Sequence, residues 1–281
     1  MPPFAARYHA PSTQSHVTAA QNATAPVPRF GLRRRLRAAA IHLLVSAAVA
    51  AAAAAVVFLA WYPPPFHIIA GGVDLFTLLM SVDVIAGPAL TFVVASPGKP
   101  KAELRRDLLA IAVVQACALG YGLYSMGLAR PVVLSFEVDR IRVVSAAEID
   151  PASLAEAPTE LRELSWSGPR HIAAVRPSDP AEAFRSVQLG MSGVDLSMDP
   201  RQWRSYASQA EQAWHAARPI AEIVAKFPSS QLEVDRLARD AGQSVAALRY
   251  LPLQSRRVAW TVVIAEPGAR IVGYLPVDGF L

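Results

Sequence analysis

The 281-residue sequence has little cysteine and little charge, and both shortages narrow what it can be. Its single cysteine, Cys117, lies inside an apolar run, which excludes a disulfide framework and a cysteine-clustered metal site. Asp, Glu, Lys and Arg make up 17% of the residues, against about 25% in an average soluble protein. With 53% hydrophobic residues, this composition indicates long apolar segments and not a wholly soluble chain.

The sequence also lacks the short motifs that mark common catalytic and nucleotide-binding sites. No G-x-S-x-G, H-E-x-x-H or glycine-rich phosphate loop occurs, and residues 130–281 contain just two histidines, His171 and His215. His215 stands beside Trp214, but an isolated helical histidine is more often exposed than catalytic. We therefore predict no catalytic residue, no cofactor, no metal ion and no small-molecule substrate.

The basic residues are concentrated in one half of the chain. Residues 1–129 carry ten Lys and Arg against four Asp and Glu, whereas residues 130–281 carry seventeen against eighteen. Cations beside apolar segments attract anionic lipid headgroups, and the second half has no basic surplus to offer a nucleic acid. The isoelectric point of about 9.6 therefore indicates a membrane flank and no nucleic-acid partner.

Three apolar stretches, residues 38–60, 73–95 and 108–129, are long enough to cross a bilayer as helices. A hydrocarbon core of about 30 Å requires roughly 20 helical residues, and lipid forces each segment to satisfy its own backbone hydrogen bonds. A cleaved signal peptide is the alternative interpretation of the first stretch. Its length and the sequence WYPPP that follows it favour an uncleaved anchor.

The positions of Lys and Arg predict how the three helices cross the membrane. Five arginines within residues 29–37 precede the first helix, and two lysines and two arginines lie between the second and third, whereas residues 61–72 contain neither. Basic segments stay in the cytoplasm, so we expect a cytoplasmic N-terminus, a bacterial inner-membrane location and a periplasmic C-terminal domain. The aromatic residues expected in the outer headgroup belt are Trp61, Tyr62, Tyr121 and Tyr124.

The predicted division has three parts. A disordered cytoplasmic tail covers residues 1–30, an α-helical membrane region of three transmembrane helices covers 31–129, and a small periplasmic α+β domain covers 130–281. The tail is rich in Ala, Pro, Ser, Thr and Gln, and it has too few large apolar side chains to order itself.

Alternation predicts the first strand of the domain over residues 132–138. Ser135 and Glu137 are expected on its outer face, with a bulge or bend after Asp139-Arg140. The other predicted elements are a capped turn at 145–148, a strand at 171–175, helices at 180–189, 203–217 and 231–241, and a hairpin at 258–275.

Seven stretches spread along the chain together match one family pattern. They are RLRAAAIHLL (35–44), FLAWYPPPF (58–66), GVDLFTLLMSVDVIAGPALTFVV (72–94), SPGKPKAELRRDL (96–108), QACALGYGLYSMGLARPVVLSFEVDRIRVV (115–144), SWSGPR (165–170) and YLPLQSR (250–256). This pattern resembles the TfpX/TfpZ-type type IV pilin accessory proteins. The resemblance implies an inner-membrane accessory of type IV pilus biogenesis that accompanies a particular major pilin, and it carries over no catalytic residue.

Asp83, near the middle of the second apolar stretch, is the first candidate for function. A carboxylate at mid-bilayer is costly unless it is paired, protonated or hydrated. The expected partners are His42, Gln115 and the Val84 carbonyl, which Pro88 should free by kinking the helix. Three interpretations stay open: a polar clamp between the helices, a docking point for a pilin helix, or a proton relay.

Two further groups of residues are candidates for contact surfaces. Small residues recur along the third apolar stretch at Ala116, Gly120 and Gly127. They favour close helix packing, either within this chain or on a pilin helix. An aromatic stripe in the domain consists of Trp203, Tyr206 and Trp214. This stripe is core where it is buried and a protein-binding surface where it is exposed.

We predict a non-enzymatic accessory that binds or stabilises a cognate major pilin and modulates pilus assembly or dynamics. The alternative is a membrane-anchored periplasmic sensor or regulator of the pilus machinery. An enzyme acting on pilin or cell-wall material is disfavoured because the catalytic motifs are missing. The expected partners are the major type IV pilin, other pilus assembly proteins and membrane lipid.

Overall fold

The computed structural model describes residues 29–96 and 98–281. The predicted tail therefore lies outside the described residues, apart from Arg29 and Phe30, which begin the first helix. Helix α1, Arg29–Ala55, ends in a wider π-type turn, Val56–Trp61. A short helix, α2, spans Phe66–Ile69, and two long helices follow it: α3, Gly72–Val94, and α4, Lys101–Ala129.

Three of these helices are long and apolar enough to cross a membrane, as the sequence predicts. α1 and α4 begin earlier than expected, because the basic residues before each apolar stretch are good helix formers and continue the same helix. α3 packs against both α1 and α4. Its helix continues through Pro88.

The rest of the chain forms one mixed sheet of eight strands, in the order β4-β3-β1-β2-β6-β7-β8, with β5 paired to β6. The strands are β1 Pro131–Glu137, β2 Arg140–Ser145, β3 Arg170–Ala174, β4 Trp203–Ser205, β5 Arg218–Pro219, β6 Arg249–Gln254, β7 Ala259–Ala265 and β8 Arg270–Leu275. The helices are α5 Pro180–Met191, α6 Ala210–Ala216, α7 Ala221–Lys226 and α8 Gln231–Ala241.

Strand β1 differs from its prediction in two respects. The irregularity expected near Asp139-Arg140 is the turn of an antiparallel β1–β2 hairpin, and not a bulge within one strand. Ser135, expected on an outer face, is fully buried, because layers of side chains cover both faces of the sheet. The predicted capping box of Ser145 and Glu148 and the β7–β8 hairpin are confirmed.

The predicted helix through the aromatic stripe is wrong in its first half. Trp203 begins strand β4, which pairs with β3, and α6 starts only at Ala210. Pairing with a neighbouring strand therefore overrides the helical spacing of the apolar residues. Strand β6 has no counterpart among the predicted elements, since Pro252 within it argues against a central strand.

Both faces of the sheet are covered, and part of one layer comes from the helical half of the chain. Helices α7 and α8 cover one face together with the irregular turns around Trp203. On the other face, α6 packs beside two α2 side chains, Phe66 and Ile69, which are buried in the same core as Leu251 and Val262. The segment between the first two spans therefore supplies part of the core of the domain.

Candidate functional site

A hydrogen-bonded cluster of polar side chains joins the three long helices. His42 of α1 contacts Gln115 Oε1 of α4 through Nε2 at 2.8 Å, and Thr91 Oγ1 of α3 through Nδ1 at 2.6 Å. The Gln115 amide donates to the main-chain carbonyl of Asp83 at 3.0 Å. Both ring nitrogens of His42 and both ends of the Gln115 amide are thus hydrogen-bonded inside the bundle. We call His42, Thr91, Gln115 and the main chain of Asp83 the polar cluster.

Gly87 makes room for the polar cluster. A β-carbon at Gly87 would lie 2.7 Å from His42 Nε2 and would also collide with the Gln115 amide. Gly87 and Thr91 are not among the candidates that the sequence predicts. They follow Asp83 at intervals of four residues and so share its helix face. The Val84 carbonyl stays a predicted partner of Asp83, and the carbonyl that Gln115 binds is that of Asp83 itself.

Among the described residues, the Asp83 carboxylate has the Gln115 amide as its one polar neighbour in the polar cluster and no cationic partner. Asp83 lies eleven residues from each end of α3, which places it at the middle of the span. In the described part of the chain, no Lys, Arg or His forms an ion pair with it. Gln115 thus binds the main-chain carbonyl of Asp83, whereas His42 bonds to Gln115 and Thr91 and reaches Asp83 only through them.

Asp83 lines two grooves on the surface of the bundle. The α1–α4 groove, of about 200 Å³, has Met80 and Asp83 in its floor. Its walls are His42, Val45, Ser46, Val49 and Ala50 of α1 and Ala112, Gln115, Ala116 and Leu119 of α4. The α3–α4 groove, of about 340 Å³, is lined mainly by leucine, valine and alanine with Asp83 and Ser125.

The small residues of α4 take different positions. Ala116 lines the α1–α4 groove, and Gly127 meets the Trp61 ring, 3.5 Å from where a β-carbon would stand. A β-carbon at Gly120 would meet no heavy atom within 4 Å, so the expected packing within the chain is wrong there. The close approach between α3 and α4 falls at Gly122 instead, where the Leu79 side chain occupies the place of a β-carbon.

The aromatic stripe belongs to the core of the domain. Trp203 is 2% exposed and donates its indole N–H to the Ser197 carbonyl at 2.9 Å. Tyr206 donates its hydroxyl to the Ala269 carbonyl at 2.7 Å, and burial raises the pKa of Tyr206 to about 12. Tyr206 and Trp214 are partly buried against the core on the opposite face of the sheet from Trp203. The structure therefore corrects the proposed interaction surface, because these side chains do not form an exposed patch.

The ends of the helices nearest the domain contact one another and the domain. Tyr62 is fully buried and donates to the Met126 carbonyl at 2.9 Å, and the buried Trp61 ring meets Trp166 edge to face at 5.6 Å. These contacts correct the expectation that both residues lie in a lipid-facing belt. Tyr121 and Tyr124 are exposed, and their place in a headgroup belt stays a prediction.

Three hydrogen bonds join the helical half of the chain to the domain. The Gly168 amide donates to the Ala60 carbonyl at 2.8 Å. Ser255 Oγ donates to the Ile69 carbonyl at 2.9 Å. The Arg257 guanidinium donates to the Asp74 carboxylate at 2.7 Å. Contacts from α1, from α2 and from the start of α3 therefore hold the domain against the bundle.

These features define a class: a protein with three helices able to span a membrane and a closely attached sheet domain. Within the described residues, no group of three or more His, Cys, Asp or Glu side chains could hold a metal ion. The model of the family described as fimbrial assembly protein FimB matches residues 30–71, which comprise α1 and the segment leading to α3.

Curated relatives extend the similarity over most of the chain. The sequence is 35% identical to the fimbrial assembly protein of serogroup I from Dichelobacter nodosus, over 87% of this chain and 95% of the relative. It is 34% identical to the serogroup E1 protein over the same shares. The protein of serogroups C1 and C2 is 42% identical over 40% of this chain and 86% of its own length.

The chain therefore belongs to the fimbrial assembly protein FimB family. No solved structure matches it. The narrower TfpX/TfpZ-type assignment stays a prediction.

Proposed function

We propose that this protein is a non-enzymatic inner-membrane accessory of type IV pilus biogenesis, and that it binds the transmembrane helix of a major pilin in the α1–α4 groove. The observation that carries the proposal is Asp83, a mid-span carboxylate that lines the groove without a cationic partner in the described part of the chain. Membership of the FimB family supports a role in fimbrial assembly.

A partner helix would offset the cost of this carboxylate. An ionisable group inside a bilayer is stabilised by pairing, so a hydrogen-bond donor on an entering helix would lower the free energy of the complex. Ala50, Ala112 and Ala116 line the groove with short side chains. Short side chains permit the close backbone approach by which helices associate in lipid. The polar cluster, already satisfied, holds the two walls in place.

The orientation is part of the proposal. Basic residues in the first turns of α1 and around the start of α4 support a cytoplasmic N-terminus and a periplasmic domain. Alkaline phosphatase, which is active only in the periplasm, should be active when fused after Leu281 and inactive when fused in the turn at Gly98. Green fluorescent protein should give the reverse pattern. Activity of the phosphatase at Gly98 alone would invert the proposed topology.

Photo-crosslinking in cells tests the docking itself. A photoreactive residue at Ala116 faces the α1–α4 groove, and one at Val114 is exposed on α4 but does not line the groove. We expect the major pilin to be captured from Ala116 and not from Val114 in a piliated strain. Equal capture from both positions, or none from either, would contradict docking in the groove.

The variant Asp83→Asn tests whether the carboxylate contributes. It keeps the shape and the main-chain carbonyl that Gln115 binds, so we expect normal accumulation in the membrane, a weaker Ala116 crosslink and fewer pili. An unchanged crosslink would leave the groove without a role for Asp83. Capture of a pilus motor or signalling protein in place of pilin would favour the sensor alternative.

A further inference from the structure

A cavity of about 270 Å³, the junction pocket, lies where α4 leads into β1. Ala70, Ala129 and Pro131 form one side, and the loop between β6 and β7 contributes Arg256. Its walls are mainly apolar, with charged groups at the rim. Because Ala70 and Ala129 stand at the outer ends of two spans, the pocket opens at the level of the lipid headgroups once the helices are placed in a bilayer.

Of the three arginines around the junction pocket, Arg256 has the longest ion-pair distance and the most exposed side chain. The Glu148 carboxylate is buried, accepts hydrogen bonds from Ser145 N at 2.8 Å and Ser145 Oγ at 2.7 Å, and lies 3.8 Å from Arg142. Arg257 is paired with Asp74 at 2.7 Å. The side chain of Arg256 is 71% exposed, and its closest ion-pair distance in the described part of the chain is 3.9 Å, to Glu148.

We propose that the junction pocket binds the phosphate of a membrane phospholipid, with Arg256 as its main cation and the alanine wall beneath the glycerol and first acyl carbons. A guanidinium presents paired N–H groups that match phosphate oxygens, and phosphate is the anion found at this depth of a bilayer. The bound lipid fills the space between the bundle and the domain. This inference rests on the proposed placement of α1, α3 and α4 in a membrane.

Native mass spectrometry of the full chain, released from detergent micelles, measures the binding directly. The probes are dioleoyl phosphatidylglycerol, a dioleoyl galactosyl glycerol that lacks phosphate, and inorganic phosphate. We expect only phosphatidylglycerol to be retained at matched concentration. Arg256→Gln should weaken its retention about fivefold, since a cation near a headgroup contributes about 1 kcal/mol, and Arg256→Lys should restore part of it.

Arg239→Gln is the matched control, because Arg239 is exposed on α8 away from the pocket, and it should leave retention unchanged. Equal weakening by both glutamine variants, or equal retention of the galactolipid, would overturn the proposal. Retention of inorganic phosphate as strong as that of lipid would overturn the lipid assignment. If alkaline carbonate releases the chain from membranes, the membrane placement itself fails. An embedded chain that retains no phosphatidylglycerol refutes only this inference.

Discussion

At the scale of single residues, two glycines in the membrane helices should respond very differently to the same added methyl group. Gly87→Ala would place a carbon 2.7 Å from His42 Nε2, whereas Gly120→Ala meets nothing within 4 Å. We expect Gly87→Ala to lower the free energy of unfolding in detergent by about 1–3 kcal/mol, the usual range for overpacking. Gly120→Ala should leave it unchanged or slightly higher, because alanine is the better helix former.

Thermal unfolding of both variants in one detergent measures the difference, with the wild-type chain alongside. Similar midpoints for the two variants would show that the polar cluster does not need the space at Gly87. Reduced piliation in Gly120→Ala with unchanged stability would instead place a partner on the exposed side of α4.

Tyr206 gives a prediction on pH at the same scale. Its unfolded-state pKa is about 10, and burial raises the pKa of Tyr206 to about 12 in the folded chain. Below pH 10 both states keep the proton. Between pH 10 and 12 only the unfolded state loses it, so stability falls as the pH rises. Tyr206→Phe should cost about 1 kcal/mol near neutral pH, where it removes the hydrogen bond to Ala269.

The same variant should make the alkaline decline shallower, which urea unfolding at a series of pH values would detect. A decline as steep as that of the wild type would assign it to the other buried tyrosines, such as Tyr274, whose pKa burial also raises.

Site residues were only partly predictable because a sequence shows spacing but not which helices are neighbours. His42 and Gln115 could be named as partners of Asp83, since polar residues in apolar spans are rare. Gly87 and Thr91 look ordinary in the sequence. Their importance depends on α1 and α4 both approaching one face of α3.

At the scale of elements, helix α2 shows what local patterns cannot reveal. Four residues between two spans, Phe66–Ile69, have no periodicity to interpret, and their burial depends on a sheet that begins more than sixty residues later. By contrast, the spans and the β7–β8 hairpin were predictable, because their signals are contiguous in sequence.

Two adjacent isoleucines test the role of α2. Ile69 is 0% exposed in the domain core and Ile68 is 51% exposed. We expect Ile69→Ala to destabilise the domain by about 2–5 kcal/mol, the range for emptying a packed isoleucine site. Ile68→Ala should change stability by less than about 0.5 kcal/mol. Hydrogen exchange at β6 and β7 in the full chain would report both effects. Equal protection in the two variants would contradict the observed packing.

At the scale of the whole molecule, residue 129 marks the end of the long apolar helices, but the hydrophobic core of the domain includes residues from before it. Phe66 and Ile69 are buried on the sheet, and Ser255 bonds the Ile69 carbonyl. A fragment of residues 130–281 should therefore be less stable than one that also carries residues 62–71 on a flexible linker. We expect the difference to be about 2–5 kcal/mol by urea unfolding.

The control for this comparison is the linked fragment with Phe66 and Ile69 both changed to alanine, which should lose the gain while keeping the linker. If residues 130–281 alone match the linked fragment, α2 only rests on the domain and the two halves are independent units. If the gain appears, a force or a partner that shifts α1 against α3 also shifts part of the core of the domain. Pilin docking in the groove would then change the packing on the sheet through α2, without a separate signalling element.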